Sequence, residues 1–187
     1  MHYRLSFNGP IQEVPTNALR SRVAQIFELP DCESLTVLFA SEGGNTDQAL
    51  SLYNFIRELP REIRFHAVGH VGSAAIPVYL AAHRRTCAPF SRFFFHVYDW
   101  TFAGPQTTDR IKEAADRLSS DIKLARAIAE KHTRIPAVQL DELYRDAPIP
   151  TIFKPEDAVA IGITDAVCMI NERSRAEPNV AMWTVDW

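Results

Sequence analysis

Polar and apolar positions alternate from Tyr3 to Phe7 and then meet Asn8-Gly9-Pro10, so the chain opens on a short strand and a turn. The spacing then changes. Leu19, Val23, Ile26 and Phe27 recur at helical intervals and predict a helix over 15–27, which Pro30 and Asp31 break. Residues 35–40 (LTVLFA) form a continuous apolar run, the pattern of a strand buried on both faces. Ser41-Glu42-Gly43-Gly44 is a turn that needs glycine's backbone freedom. Asn45, with Gln48 three residues on, then caps a helix whose stripe is Leu52, Tyr53, Ile56 and Leu59 and which Pro60 ends. A strand is predicted over 63–68, a second glycine-bearing turn at Gly69-His70-Val71-Gly72, and a helix over 73–83 with Pro77 in its first turn.

The second half opens with extended pieces at 87–89 and 92–96. Residues 109–132 form the longest helix, with Ile111, Ala114, Ala115, Leu118, Ile122, Ala125, Ile128 and Ala129 on one broad apolar face. A helix over 136–144, an irregular stretch with two prolines at 146–150, a helix from Pro155 capped by Gly162, and a strand over 166–170 complete the pattern. Strands alternating with helices imply an α/β fold with mainly parallel strands. With no internal repeat or linker, the reading is one domain over 1–170 and a polar C-terminal tail over 171–187 that carries Met182, Trp183 and Trp187.

Composition narrows the function. The 187 residues carry a net charge of -3, which argues against a protein whose main partner is nucleic acid. No apolar run approaches the ~20 residues of a membrane span, and MHYRLSFNG lacks the pattern of a secretory signal. Cys32, Cys87 and Cys168 form no CxxC pair, so a reducing, cytoplasmic setting is expected.

Two strand–turn–helix junctions carry the candidate chemistry, because ligands bind at the carboxyl ends of parallel strands. They are Ala40-Ser41-Glu42-Gly43-Gly44-Asn45 and Gly69-His70-Val71-Gly72-Ser73-Ala74. Ser73 at a helix start suits a nucleophile whose product is an oxyanion, although on spacing alone a plain helix cap is the more economical reading. Val71 and Ala75 exclude the GxSxG elbow, and no GK[ST] makes a P-loop. His66 and His70 have an HxxxH spacing without a nearby acidic or cysteine ligand, so they read as strand packing and no metal site is assigned. His96, ending Phe93-Phe94-Phe95, is either a structural residue or a base.

Together these segments resemble the proteolytic subunit of the Clp protease, a self-compartmentalised serine peptidase family with the ClpP/crotonase fold. Its SPGG segment resembles Ser41-Glu42-Gly43-Gly44, and its GxxxSxGA segment resembles Gly69 to Ile76. Its CLPxSRxxxH segment is matched by Cys87 to His96, and its APEAxxxGLVD segment resembles Lys154 to Asp165. The resemblance runs from about Tyr3 to Val167. It implies one α/β domain of repeated β-β-α units with a long handle helix. It implies Ser73 as nucleophile, His96 as general base, the N–H groups of Gly44 and Ala74 as oxyanion hole, and Gly43 and Asn45 in the substrate groove. It also implies no cofactor, a peptide or unfolded-protein substrate, a closed homo-oligomeric ring and an ATPase unfoldase partner. The last expectation is weakened by a first strand that begins almost at Met1 and by Thr86, which stands where the family docks its partner through an aromatic residue.

The departures are specific. Aligned back from Gly162, the family's triad aspartate falls on Pro150, which cannot orient a histidine. The stretch between His132 and Gly162 is a few residues longer than usual, which brings Asp146 into that role; Asp99, three residues from His96, is a further candidate. Ala75 replaces a glycine, and Glu42 replaces a proline in the groove, either altering peptide preference or remaining a solvated turn charge. Two other readings stand beside the peptidase: a weak or inactive scaffold subunit, and a crotonase-type acyl-CoA enzyme.

Overall fold

A computed structural model describes residues 1–96, 98, 99, 102–145, 149–170 and 180–187. In chain order it contains β1 (His2–Asn8), α1 (Glu13–Glu28), β2 (Ser34–Ser41), α2 (Thr46–Arg57), β3 (Ile63–Gly72), α3 (Ala75–Leu80) and β4 (Arg84–Cys87). These are followed by β5 (Arg92–Phe95), α4 (Thr108–His132), α5 (Ala137–Leu143), β6 (Thr151–Phe153), α6 (Pro155–Ala160), β7 (Ala166–Val167) and β8 (Val180–Thr184).

The sheet runs β6-β5-β3-β2-β1-β8, and β4 pairs with β3 and β7 off that path. All ladders are parallel except β5–β6. The ten-residue β3 organises the fold. Its first half, Arg64 to Ala67, pairs with β4; its last residues, His70 to Gly72, pair with β5. Residues 69–72 are therefore the end of this strand and not the separate turn that two glycines suggested. By changing partners, β3 places its own carboxyl end beside that of β5.

The apolar run in β2 is not buried on both faces. Leu35, Val37 and Phe39 are buried, while Ser34, Thr36, Leu38 and Ala40 are only half-buried. Helices cover one face of the sheet, and the other carries Arg4, Thr36, Arg64 and Arg84 in one lateral row. The buried face stacks Phe7 on Phe39 (5.6 Å), Phe39 on Phe65 (5.1 Å) and Tyr79 on Phe93 (5.3 Å). The buried Tyr79 hydroxyl donates to the Thr86 carbonyl at 2.9 Å, which satisfies it inside the aromatic core. The helix expected over 73–83 stops at Leu80, because Arg84 to Cys87 is held extended by the β3 ladder.

At the outer edge, Val180–Thr184 adds a parallel strand to β1. Trp187 packs on Phe7 at 5.5 Å, and Arg22 sits over the Trp183 ring at 5.1 Å. In α4, Ala114, Asp121, Ala125, Ile128 and Ala129 are buried, whereas Ile111 on the expected apolar face is exposed. The C-terminal half of α4 thus packs on its own domain, and the N-terminal half carries apolar surface to solvent.

The interior predicts an acid-labile fold. Burial first, and the Arg4 charge second, pull the His66 pKa down to about 4; burial does the same to His132, followed by the charges of Arg85, Arg57 and Lys131. Both imidazoles are neutral in the fold and share hydrogen bonds, His66 with the Thr86 hydroxyl (2.8 Å) and His132 with that of Tyr53 (2.7 Å). A folded pKa below the unfolded value means that the unfolded chain binds more protons between the two. Stability is therefore full above pH ~6.5 and falls as pH drops toward 4. Urea titrations at pH 7 and pH 4.5 should differ by about 2–3 kcal/mol from His66 alone, and His66→Gln should flatten that dependence. A dependence unchanged in the variant would remove His66 from the explanation.

Candidate functional site

The site is built where β2 and β3 end. The Ser41 hydroxyl accepts the Gly43 N–H at 3.1 Å and begins the turn. Gly43 and Gly44 have φ of +97° and +145°, which L side chains rarely adopt. Ile11 pins this turn from one side: its N–H donates to the Gly43 carbonyl (2.8 Å) and its carbonyl accepts the Asn45 N–H (2.7 Å). In that pairing the N–H and carbonyl of Gly44 face the opposite edge. The Asn45 side chain caps α2 by accepting the Gln48 N–H at 2.9 Å, as its position predicts.

Gly43 has no room for a side chain because the β3–α3 turn lies against it. A Cβ there would stand 2.7 Å from both the Gly72 carbonyl oxygen and the Ser73 Cβ, and 3.0 Å from the Ala74 nitrogen. The glycine turn and the Ser73-Ala74 turn are thus in direct contact. Ser73 has φ +53°, the one positive φ at a non-glycine position among the described residues. Its N–H donates to the Phe94 carbonyl (2.9 Å) and its carbonyl accepts the Ile76 N–H (3.0 Å), so bonds on both sides hold this unfavourable conformation. Neither the Gly44 N–H nor the Ala74 N–H donates to another described residue.

His96 follows β5 on the same side. Its ring stacks on Phe94 (5.1 Å, 21° between planes) and makes no hydrogen bond to the Ser73 hydroxyl. Phe94 also contacts the His70 ring at 5.6 Å. His70 Nε2 lies 3.2 Å from a Glu42 carboxylate oxygen, but without the alignment of a hydrogen bond. The two junctions are therefore joined by a histidine–carboxylate pair that the sequence did not single out. The signal was present in outline: once β3 continues to Gly72, His70 shares a face with it.

The expected acids separate. Antiparallel pairing of Phe95 with Thr151 places Pro150 at the next register position, opposite His96. Asp99 is exposed and lines an open cleft with Gln12, Gly44, Asn45, Thr46 and Asp47. Asp146 lies outside the described residues. A fourth carboxylate enters instead: Asp121 of α4 is buried and accepts the Thr46 hydroxyl at 2.5 Å. Among the described residues no group of three or more His, Cys, Asp or Glu side chains is placed to hold a metal.

The Clp protease family model matches residues 7–171. The chain belongs to the Clp protease family. Its likeness to ATP-dependent Clp protease proteolytic subunit 2 of Borreliella burgdorferi is 29% identity over 90 residues, covering 47% of this chain and 46% of that protein. The chain thus matches about half the length of that curated relative. A point mutant of ClpP1 from Listeria monocytogenes has a similar fold, with a TM-score of 0.73 at 17% identity over 90% of this chain and 92% of its own. Both glycine-bearing junctions fall inside this family match. The match does not explain Glu42, His70, Asp121 or Pro150, which are features of this chain.

Proposed function

We propose that this Clp-family chain is a serine endopeptidase acting on extended peptides and unfolded proteins. The observation that carries this reading is Ser73, held at φ +53° against the Gly43 turn with the Gly44 and Ala74 N–H groups unspent beside it. A substrate strand pairs with the free edge of Gly44, next to Gly43 and Asn45, as an added β-strand. The Ser73 hydroxyl attacks the scissile carbonyl and passes its proton to His96, while the two N–H groups receive the developing oxyanion. His96 must first leave its stack on Phe94, at a cost of about 0.5–1.5 kcal/mol that substrate contacts or assembly offset. Asp146 is the proposed third member, because it belongs to the short segment that leads into Pro150, opposite His96.

The exposed Ile111 and the N-terminal half of α4 supply apolar surface for a homo-oligomeric ring, which would confine an unselective peptidase. Three free cysteines fit a reducing, cytoplasmic setting. No described helix is long and apolar enough to cross a membrane. The matched docking position, Thr86, engages its hydroxyl with His66, so peptide cleavage is proposed to proceed without an unfoldase.

A scaffold role is the second reading. It is favoured by the His96 ring resting on Phe94 and by Pro150 at the triad position. The acyl-CoA reading is disfavoured, because Asp99 lines the cleft beside Gly44 and opposes a phosphorylated carrier. Size-exclusion fractions assayed with a fluorogenic peptide library separate the first two. Cleavage that co-elutes with the oligomer and is absent in Ser73→Ala supports the peptidase; an oligomer with no cleavage supports the scaffold.

A further inference from the structure

A small cavity adjoins the proposed oxyanion hole. Its lining includes Thr46, Ala49, Ala74, Pro77 and Ala125, together with Asp121 and Tyr98. It offers about 10 Å³, room for about one water. Its position follows from the chemistry. An acyl oxygen held by the Gly44 and Ala74 N–H groups fixes the carbonyl carbon beside Ala74. The side chain of the residue contributing that carbonyl branches one carbon away, and Ala74, one of the two donors, lines this cavity.

The composition of the cavity is unusual for an apolar pocket. Asp121 is only 6% exposed, and the Thr46 hydroxyl is its one hydrogen-bond partner among the described residues. A buried carboxylate with one neutral partner lacks the cationic counter-charge that offsets desolvation. Its field reaches Tyr98, whose hydroxyl is raised above its ordinary range by burial first and by Asp121 second. The alanine and proline walls suit a methylene stem, and the carboxylate suits an ammonium or guanidinium at its end. The cleft that continues from Thr46 adds Asp47 and Asp99, although Asp47 is paired with Arg117.

Resting on the peptidase reading, we infer that Asp121 is a specificity-determining residue that selects substrates with a basic side chain immediately before the scissile bond. The bound lysine or arginine displaces the Tyr98 ring and supplies the missing counter-charge. Thr46 keeps the carboxylate aimed into the pocket.

The test uses two peptidyl diphenyl phosphonates that differ only in lysine or leucine at that position, with the rate of covalent Ser73 labelling read by intact mass. The lysine probe should label the unmodified protein at least about tenfold faster than the leucine probe. Asp121→Asn keeps an acceptor for Thr46 and removes the charge. It should slow the lysine probe by about 10–100-fold and leave the leucine probe within about twofold. Equal or faster labelling by the leucine probe overturns the inference. So does an equal loss for both probes in Asp121→Asn, which would mark the Asp121–Thr46 bond as a structural tie between α4 and the groove. Failure of both probes to label Ser73 in the unmodified protein overturns the peptidase reading itself.

Discussion

Replacing Ser73 with alanine is expected to lower peptide turnover by about 10⁶-fold, the scale on which triad hydrolases lose catalysis when the nucleophile is removed. The backbone singles out this serine as much as its hydroxyl does. A serine at φ +53° costs about 1–3 kcal/mol relative to an ordinary conformation, yet bonds to Phe94 and Ile76 hold it there. A helix cap needs no such strain, since caps are ordinarily extended, as Asn45 shows at the start of α2. Alanine keeps the fold and the two oxyanion donors, so circular dichroism and assembly should be unchanged while kcat collapses. Residual turnover within tenfold of the parent would place the chemistry elsewhere.

The second large effect is expected at Asp146, the proposed triad acid. Asp146→Asn should lower kcat by about 10⁴-fold with little change in KM, because an amide presents the wrong partner to a histidine that must hold one tautomer and become an imidazolium. Register supplies the complementary experiment. Pro150 and His96 each stand one residue beyond the last β5–β6 pair, Phe95 with Thr151, and proline has no acceptor side chain. In the Asp146→Asn background, Pro150→Asp should therefore recover part of the loss, by about tenfold or more. Steady-state kinetics on the three proteins measure both effects. Unchanged kcat in Asp146→Asn would leave Ser73 and His96 as a dyad.

Much of this site is legible in the chain because its parts are local. The Asn45 cap, the Gly43-Gly44 turn and the helix start after Ser73 each depend on a few adjacent residues, and each stands in the structure near its expected place. The long helix is legible for the same reason, since its apolar spacing repeats over many turns. What escaped depends on contacts between distant segments. Strand β6 has three residues after two prolines, too short for a period, and exists because β5 offers it an edge. Strand β4 is masked by helix-compatible alanines just before it, and β8 lies in a segment that composition marks as a tail. Asp121 reads as an ordinary polar position on an amphipathic helix, and only the approach of α2 buries it against Thr46. His70 and Glu42 are 28 residues apart in sequence, and only the β2–β3 pairing brings them to 3.2 Å.

Covalent labelling with a fluorophosphonate reports an activated serine without requiring the right substrate. Intact mass should show one probe per chain in the assembled protein, peptide mapping should place it on Ser73, and Ser73→Ala should remain unmodified. An assembled protein that stays unlabelled, beside an active serine peptidase labelled in the same experiment, would contradict the peptidase and make this chain a scaffold subunit.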